Sequence, residues 1–141
     1  MYKRILVPTD GSNASRNALI KALELAEKFN SEVEIFNVTP TSEAFNMDYS
    51  ILITKEQINK SGELVLDATL KGIDIGKVQI LKKHTSGNPT NSILEEIKRE
   101  FDLVVMGTCG HGTLIGVALG SVTQHVLAHA ECPVLVVNSR K

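Results

Sequence analysis

The chain has 141 residues, 43% hydrophobic and 22% charged, the make-up of one ordinary globular domain rather than a disordered segment. Fifteen Lys and Arg against sixteen Asp and Glu leave a net charge of -1, so no basic surplus exists to neutralise a nucleic-acid backbone. The longest apolar runs, Leu103 to Met106 and Val134 to Val137, are too short to span a bilayer, and two cysteines, Cys109 and Cys132, make no disulfide framework.

The N-terminus runs from Met1-Tyr2-Lys3-Arg4 straight into an apolar strand, without the layout of a signal peptide, which points to a cytoplasmic protein. Ile5-Leu6-Val7 is a short apolar run ended by Pro8, as in a strand buried on both faces. Asp10-Gly11-Ser12 follows, and then Leu19, Ala22, Leu23 and Ala26 at helical spacing. Val33, Ile35, Phe36 and Val38 predict a second strand, stopped by Pro40, and residues 40 to about 50 read as a loop. A helix is expected from Tyr49 to Lys71, although Gly62 inside it costs about 1 kcal/mol relative to alanine.

Val78, Ile80 and Leu81 predict a third strand running into Lys82-Lys83-His84. Asn88-Pro89 reads as an N-cap and first helical position, with Ile93, Leu94, Ile97 and Phe101 as that helix's buried stripe. Leu103 to Met106 is the fourth strand, Val117 to Ala130 the last helix, and Pro133 to Val137 the fifth strand. Strands alternating with helix-length segments imply right-handed βαβ crossovers and one parallel sheet covered on both faces, a single doubly wound α/β domain over residues 1–141. Such sheets bind ligands beyond the carboxyl ends of their strands, at a topological switch point. The loops to search are those after Val7, Val38, Leu81 and Met106.

The strongest local signal is Gly107-Thr108-Cys109-Gly110, followed after nine residues by Gly120-Ser121-Val122-Thr123. It starts where the fourth strand ends and leads into a helix. Glycines there allow positive φ and close backbone approach, and free N–H groups at a helix start suit a phosphate. A Walker-type loop is ruled out, because no lysine or arginine occurs between Arg99 and Arg140. The dinucleotide pattern G-x-G-x-x-G also fails at Gly110-His111-Gly112-Thr113-Leu114-Ile115. A long loop that needs glycine only for its turns competes with the phosphate reading.

Gly-x2-Gly-x9-Gly-Ser after a strand ending Val-Met resembles the nucleotide-binding signature of the ATP-binding universal stress proteins. Ile5-Leu6-Val7-Pro8-Thr9-Asp10-Gly11-Ser12 is similar to that family's first strand and turn, and Cys132-Pro133-Val134-Leu135-Val136-Val137 to its last strand. The resemblance implies a Rossmann-like or flavodoxin-like sheet ordered 3-2-1-4-5 with an adenine nucleotide at its carboxyl edge. Asp10 would match the acidic residue at the ribose, Pro8 and Thr9 would line the pocket, and the Val38 backbone would meet adenine. Gly107, Gly110, Gly120, Ser121 and Val122 would form the phosphate cradle, with Met106 beside it. The departure is His111, where many relatives carry a basic or bulkier residue. The implied ligand is ATP or another adenine nucleotide, with Mg or Mn held mainly by the phosphates. The implied assembly is a homodimer through the last strand, with a protein partner that the sequence does not name.

Each residue also has a plainer reading. Asp10 alone suits a turn or helix cap, and a receiver domain would want more acids there and an Asp ending strand three. His125 and His129 stand one turn apart before Cys132, but Val126 excludes H-E-x-x-H, and a solvent-facing helix side is the expectation rather than a metal site. Cys109 reads as an incidental small side chain. The leading function is a stress-response or signalling module whose bound nucleotide sets conformation or partner binding. A slow metal-dependent ATPase or nucleotidyl-transfer enzyme on the same scaffold is the alternative; no catalytic residue is assigned, since the loop lacks the cation such chemistry wants. A dimeric scaffold that binds no nucleotide is a third reading, against which the intact glycines argue.

Overall fold

The computed structural model describes residues 2–41, 55–108 and 119–138. In chain order the elements are β1 (Arg4–Pro8), α1 (Asn13–Phe29), β2 (Glu32–Pro40), α2 (Lys55–Leu70), β3 (Gln79–Gly87), α3 (Pro89–Ile97), β4 (Leu103–Gly107), α4 (Ser121–His129) and β5 (Val134–Val137). All strand pairs are parallel, and the sheet order is β3-β2-β1-β4-β5. The chain reverses direction across the sheet between β1 and β4, which makes their carboxyl ends the switch point.

Both faces of the central strands are buried, which is why they read as continuous apolar runs. Ile5, Val7, Val33, Ile35, Leu103 and Val105 pack on one side against Ala18, Leu19, Ala22, Leu23 and Ala26 of α1 and Leu66 of α2. Leu6, Phe36, Val38, Val104 and Met106 pack on the other side against Ile93 and Ile97 of α3, against Phe101, and against Val126 of α4. Ser12 caps α1 by accepting a hydrogen bond from the Ser15 N–H, and Asn88 caps α3 by accepting one from the Asn91 N–H, with Pro89 at the first helical position. Among the described residues, no helix is long and apolar enough to cross a membrane.

Several boundaries differ from the sequence expectation. β3 does not end near Leu81 but continues to Gly87, paired residue by residue with Glu32–Pro40 of β2. Its polar residues are held by partners on the covering helices. Lys82 faces Asp67, Lys83 meets Glu96, and the His84 ring shares a hydrogen bond with Asn59. The last helix begins at Ser121 rather than Val117: Leu119 and Gly120 are not helical, and residues 117 and 118 lie outside the described ones. Of the helix expected from Tyr49 to Lys71, residues 49–54 also lie outside, and the helix stops at Leu70.

Gly62 has a packing reason. A Cβ there would stand 2.3 Å from His84 Cδ2 and 2.9 Å from its Cβ, so the helix reaches β3 only because this position is bare. Alanine would gain about 1 kcal/mol of helix propensity, but overpacking of this kind costs roughly 1–3 kcal/mol. The overlap reaches the root of the imidazole, so the clash outweighs the gain in propensity. Gly62→Ala is expected to lower the urea midpoint with an unchanged slope; a higher midpoint would show that His84 moves aside freely.

A second buried polar group lies between β2, β3 and α3. Glu34 and Glu96 are 5% and 4% exposed and hydrogen-bond to each other. Glu96 also accepts from Lys83 Nζ at 2.8 Å and faces Arg99 Nε at 3.4 Å. Burial, together with the hydrogen bond and charge of Glu96, pushes the Glu34 carboxyl up to about 8. Burial works to raise Glu96 too, but the Glu34 hydrogen bond and the Lys83 ammonium outweigh it and hold that carboxyl below its usual range.

Candidate functional site

The turn after β1 is fastened on every side. The Thr9 N–H donates to Phe36 O at 2.9 Å, and Asn37 Nδ2 donates to Thr9 O at 2.9 Å, tying the turn to β2. Gly11 takes φ +83°, a conformation that favours glycine, and its N–H donates to Thr9 Oγ1 at 3.0 Å. The Asp10 carboxylate accepts from the Ser12 N–H at 2.9 Å and the Ser15 hydroxyl at 3.0 Å. The plain reading of Asp10 as a turn residue therefore holds in part. The same bonds fix the side chain's direction at the carboxyl end of β1.

Across the switch point, β4 ends at Gly107. The Thr108 N–H donates to Val137 O, and Thr108 O accepts the Gly120 N–H at 2.8 Å. Thr123 Oγ1 donates to Gly107 O at 3.0 Å. These bonds set the start of α4 against the end of β4. Gly120 is the N-cap and contributes no side chain. The N–H groups of Ser121, Val122 and Thr123 fall in the first turn, where a helix offers them no internal acceptor.

Between the two turns opens a cavity of about 460 Å³. Of the site residues expected from the sequence, Pro8, Thr9, Asp10, Val38, Met106, Gly107, Gly120, Ser121 and Val122 all line it. Gly110, with Cys109 and His111, lies outside the described residues. The loop after Leu81 is not part of the wall, because β3 continues past it.

Other wall residues carry no sequence signal of a ligand site. Ser61 and Val65 come from α2, Pro89 and Ile93 from α3, and Asn37 and Pro40 from the end of β2. They belong to no motif; only the packing of two amphipathic helices over the sheet edge brings them here. The wall is apolar toward Phe36, Val65 and Ile93 and polar toward Asp10 and the start of α4. Asp10 is the sole ionisable residue among the described lining residues.

Neither Gly107 nor Gly120 takes a positive φ. Gly120 has φ -62° and ψ 155°, which any residue adopts, so positive φ is not its reason. At Gly107 a Cβ would lie 2.7 Å from Ala14 Cβ and 2.8 Å from the Ala14 backbone C and O. Its bareness lets the strand end approach the first turn of α1.

His125 and His129 are exposed, as expected for a solvent-facing helix side. Each Nδ1 stands within hydrogen-bond reach of the carbonyl four residues back, Ser121 O at 2.8 Å and His125 O at 3.0 Å. The rings are 6.4 Å apart and nearly parallel, repeating one orientation a turn apart rather than converging. Cys132 packs against the core beside Val134, where burial and then Asp102 push its thiol up. Among the described residues, no cluster of three or more His, Cys, Asp or Glu could hold a metal ion.

Comparison with known proteins agrees with this architecture. Residues 1–138 match the profile of the Universal stress protein family. Universal stress protein MJ0531 of Methanocaldococcus jannaschii is 35% identical over 144 residues, covering 100% of this chain and 85% of its own. The solved structure of hypothetical protein MJ0577 superposes with a TM-score of 0.78 at 28% identity, over 100% of this chain and 98% of that one. A universal stress protein crystallised in complex with cAMP superposes at 0.68 with 25% identity, over 99% and 98%. With the Rossmann-like sheet order and a family match across nearly its full length, the chain belongs to the universal stress protein family.

Proposed function

We propose that the protein binds an adenine nucleotide, ATP foremost, in the cavity between the β1 turn and the start of α4. Bound nucleotide would set the conformation that a protein partner reads. The observation that carries this is convergence: residues about 100 positions apart in sequence, Pro8, Thr9 and Asp10 on one hand and Met106, Gly107, Gly120, Ser121 and Val122 on the other, line one cavity at the switch point. A family member 25% identical to this chain holds cAMP, which supports an adenine ligand. Adenine would lie toward Val38 and the apolar wall, the ribose at Asp10, and the phosphates over the first turn of α4. There the free N–H groups and about half a positive charge from the helix dipole favour an anion. Gly107 and Gly110 would complete that cradle.

No lysine or arginine lines the described cavity, and none occurs between Arg99 and Arg140. A triphosphate would therefore bring Mg or Mn with it, held mainly by its own oxygens. The same chemistry favours a binding module over an enzyme, because N–H donors hold ground-state phosphates without the cationic charge that phosphoryl transfer draws on. We also propose a cytoplasmic homodimer through β5, an edge strand with Leu135 exposed, where unpaired backbone groups suit a second copy.

Titration calorimetry with ATP, AMP and cAMP, with and without magnesium, tests the reading. At least one is expected to bind, and saturation at about 100 times Kd adds roughly 2.7 kcal/mol of stability. Gly120→Val should weaken binding by about tenfold or more by filling space at the helix start. Gly72→Ala, a strained position with φ +75° outside the cavity wall, should cost stability and leave affinity unchanged. No binding of any nucleotide sinks the proposal; wild-type affinity in Gly120→Val misplaces the cradle.

A further inference from the structure

Thr69 lies on α2, is completely buried, and is not part of the cavity wall. Its hydroxyl donates to Val65 O at 2.8 Å and stands 2.7 Å from Thr9 Oγ1. A hydroxyl has one proton, and a carbonyl oxygen can only accept. Because the Thr69 proton goes to Val65 O, the Thr9 hydroxyl must donate to Thr69. Thr9 Oγ1 in turn accepts the Gly11 N–H at 3.0 Å. The result is one directed chain: Gly11 N–H to Thr9, Thr9 to Thr69, Thr69 to the α2 backbone. Hydrogen bonds in such a buried series polarise and strengthen one another.

From this chain we propose that Thr69 is a positioning residue for the nucleotide cavity, holding the Thr9–Gly11 turn, and with it Asp10, against α2. The inference rests on the nucleotide reading above. The Thr9 backbone is tied toward β2, through its N–H to Phe36 and its carbonyl to Asn37. The Thr69 bond fastens the turn to the helix that supplies Ser61 and Val65 to the adjoining wall. Losing it removes the side-chain hydrogen bond between the turn and that helix.

The test compares Thr69→Val, which keeps shape and removes the hydroxyl, with Thr69→Ser, which keeps the hydroxyl. Two readouts are taken on the intact chain: hydrogen exchange at the Gly11 amide, and affinity for ATP, AMP and cAMP by calorimetry. In Thr69→Val the Gly11 amide is expected to exchange roughly fivefold to tenfold faster, with affinity about tenfold weaker. Thr69→Ser should restore both while losing stability through its missing methyl, which separates positioning from packing. Thr69→Ala replaces the valine variant if that one does not fold. Unchanged Gly11 exchange in the valine variant overturns the proposal, as does faster exchange with wild-type affinity. If the wild-type chain binds none of the three nucleotides, the nucleotide reading falls, and Gly11 exchange still decides whether Thr69 holds the turn.

Discussion

Replacing Gly107 by alanine is expected to lower the unfolding free energy by about 2–4 kcal/mol, at or above the usual range for overpacking a core. The added Cβ would meet Ala14 at 2.7 Å, and two of the three close atoms are backbone. Backbone in the first turn of α1 has little room to yield, because the Ser12 cap and the Asp10 bonds fix it. The strand cannot retreat either: β4 is paired with β1 on one side and β5 on the other. Ala14→Gly in the same chain should restore only part of the loss, since it removes one of the three contacts and leaves the carbonyl in place. Urea unfolding of the two single variants and the double variant measures this directly. A loss below about 0.5 kcal/mol in Gly107→Ala, the level of an ordinary surface change, would show that the junction of β4 and α1 adapts.

Gly107 also shows where sequence reading ends. Its position after an apolar strand, and its spacing to Gly120, are legible and place it on the cavity wall. Its physical reason, close approach to Ala14, is not, because that contact joins residues 93 positions apart in sequence. The apolar strands and α1 can be read because each buries side chains at its own period. β3 reads short because Lys82, Lys83 and His84 look like a loop. They belong to a strand only because Asp67, Glu96 and Asn59 on two covering helices receive them.

The candidate site divides in the same way. Turn residues Pro8 to Asp10 and the glycine-spaced segment carry local signals, whereas Ser61, Val65, Pro89 and Ile93 are ordinary helix residues until the helices dock. Thr69 is less legible still, since it acts through Thr9 and never reaches the cavity. Glu34, between two apolar neighbours in β2, carries no motif that marks it. Its burial depends on Glu96 arriving from α3.

That pair leads to the second large effect, a loss of stability as the pH rises toward about 8 that Glu34→Gln should remove. The folded chain keeps the Glu34 proton up to about pH 8, while the unfolded chain releases it near the ordinary value of 4.5. Between those values the folded state binds the extra proton, so raising the pH favours unfolding. The contribution is fully present below the unfolded value and is lost as the pH rises through the folded one, at most on the order of 1 kcal/mol per pH unit. Glu96 has the opposite sign: its lowered value gives stability above the ordinary range that is lost as the pH falls through the folded value. Lys83 from β3 and Arg4 from β1 face Glu34 and oppose its rise, but burial is the larger influence. Above about pH 8 two carboxylates share the same buried space, with Lys83 and Arg99 on Glu96 and, among the described residues, no hydrogen-bond donor at Glu34 Oε2. Glutamine keeps the size and an N–H for Glu96 but cannot ionise. Urea midpoints taken in steps from about pH 6 to pH 9 should fall for the wild-type chain and stay level for Glu34→Gln. The two curves should cross, with the variant the more stable at the alkaline end. Parallel decline of both proteins would mean that the proton on Glu34 is not what the alkaline side removes.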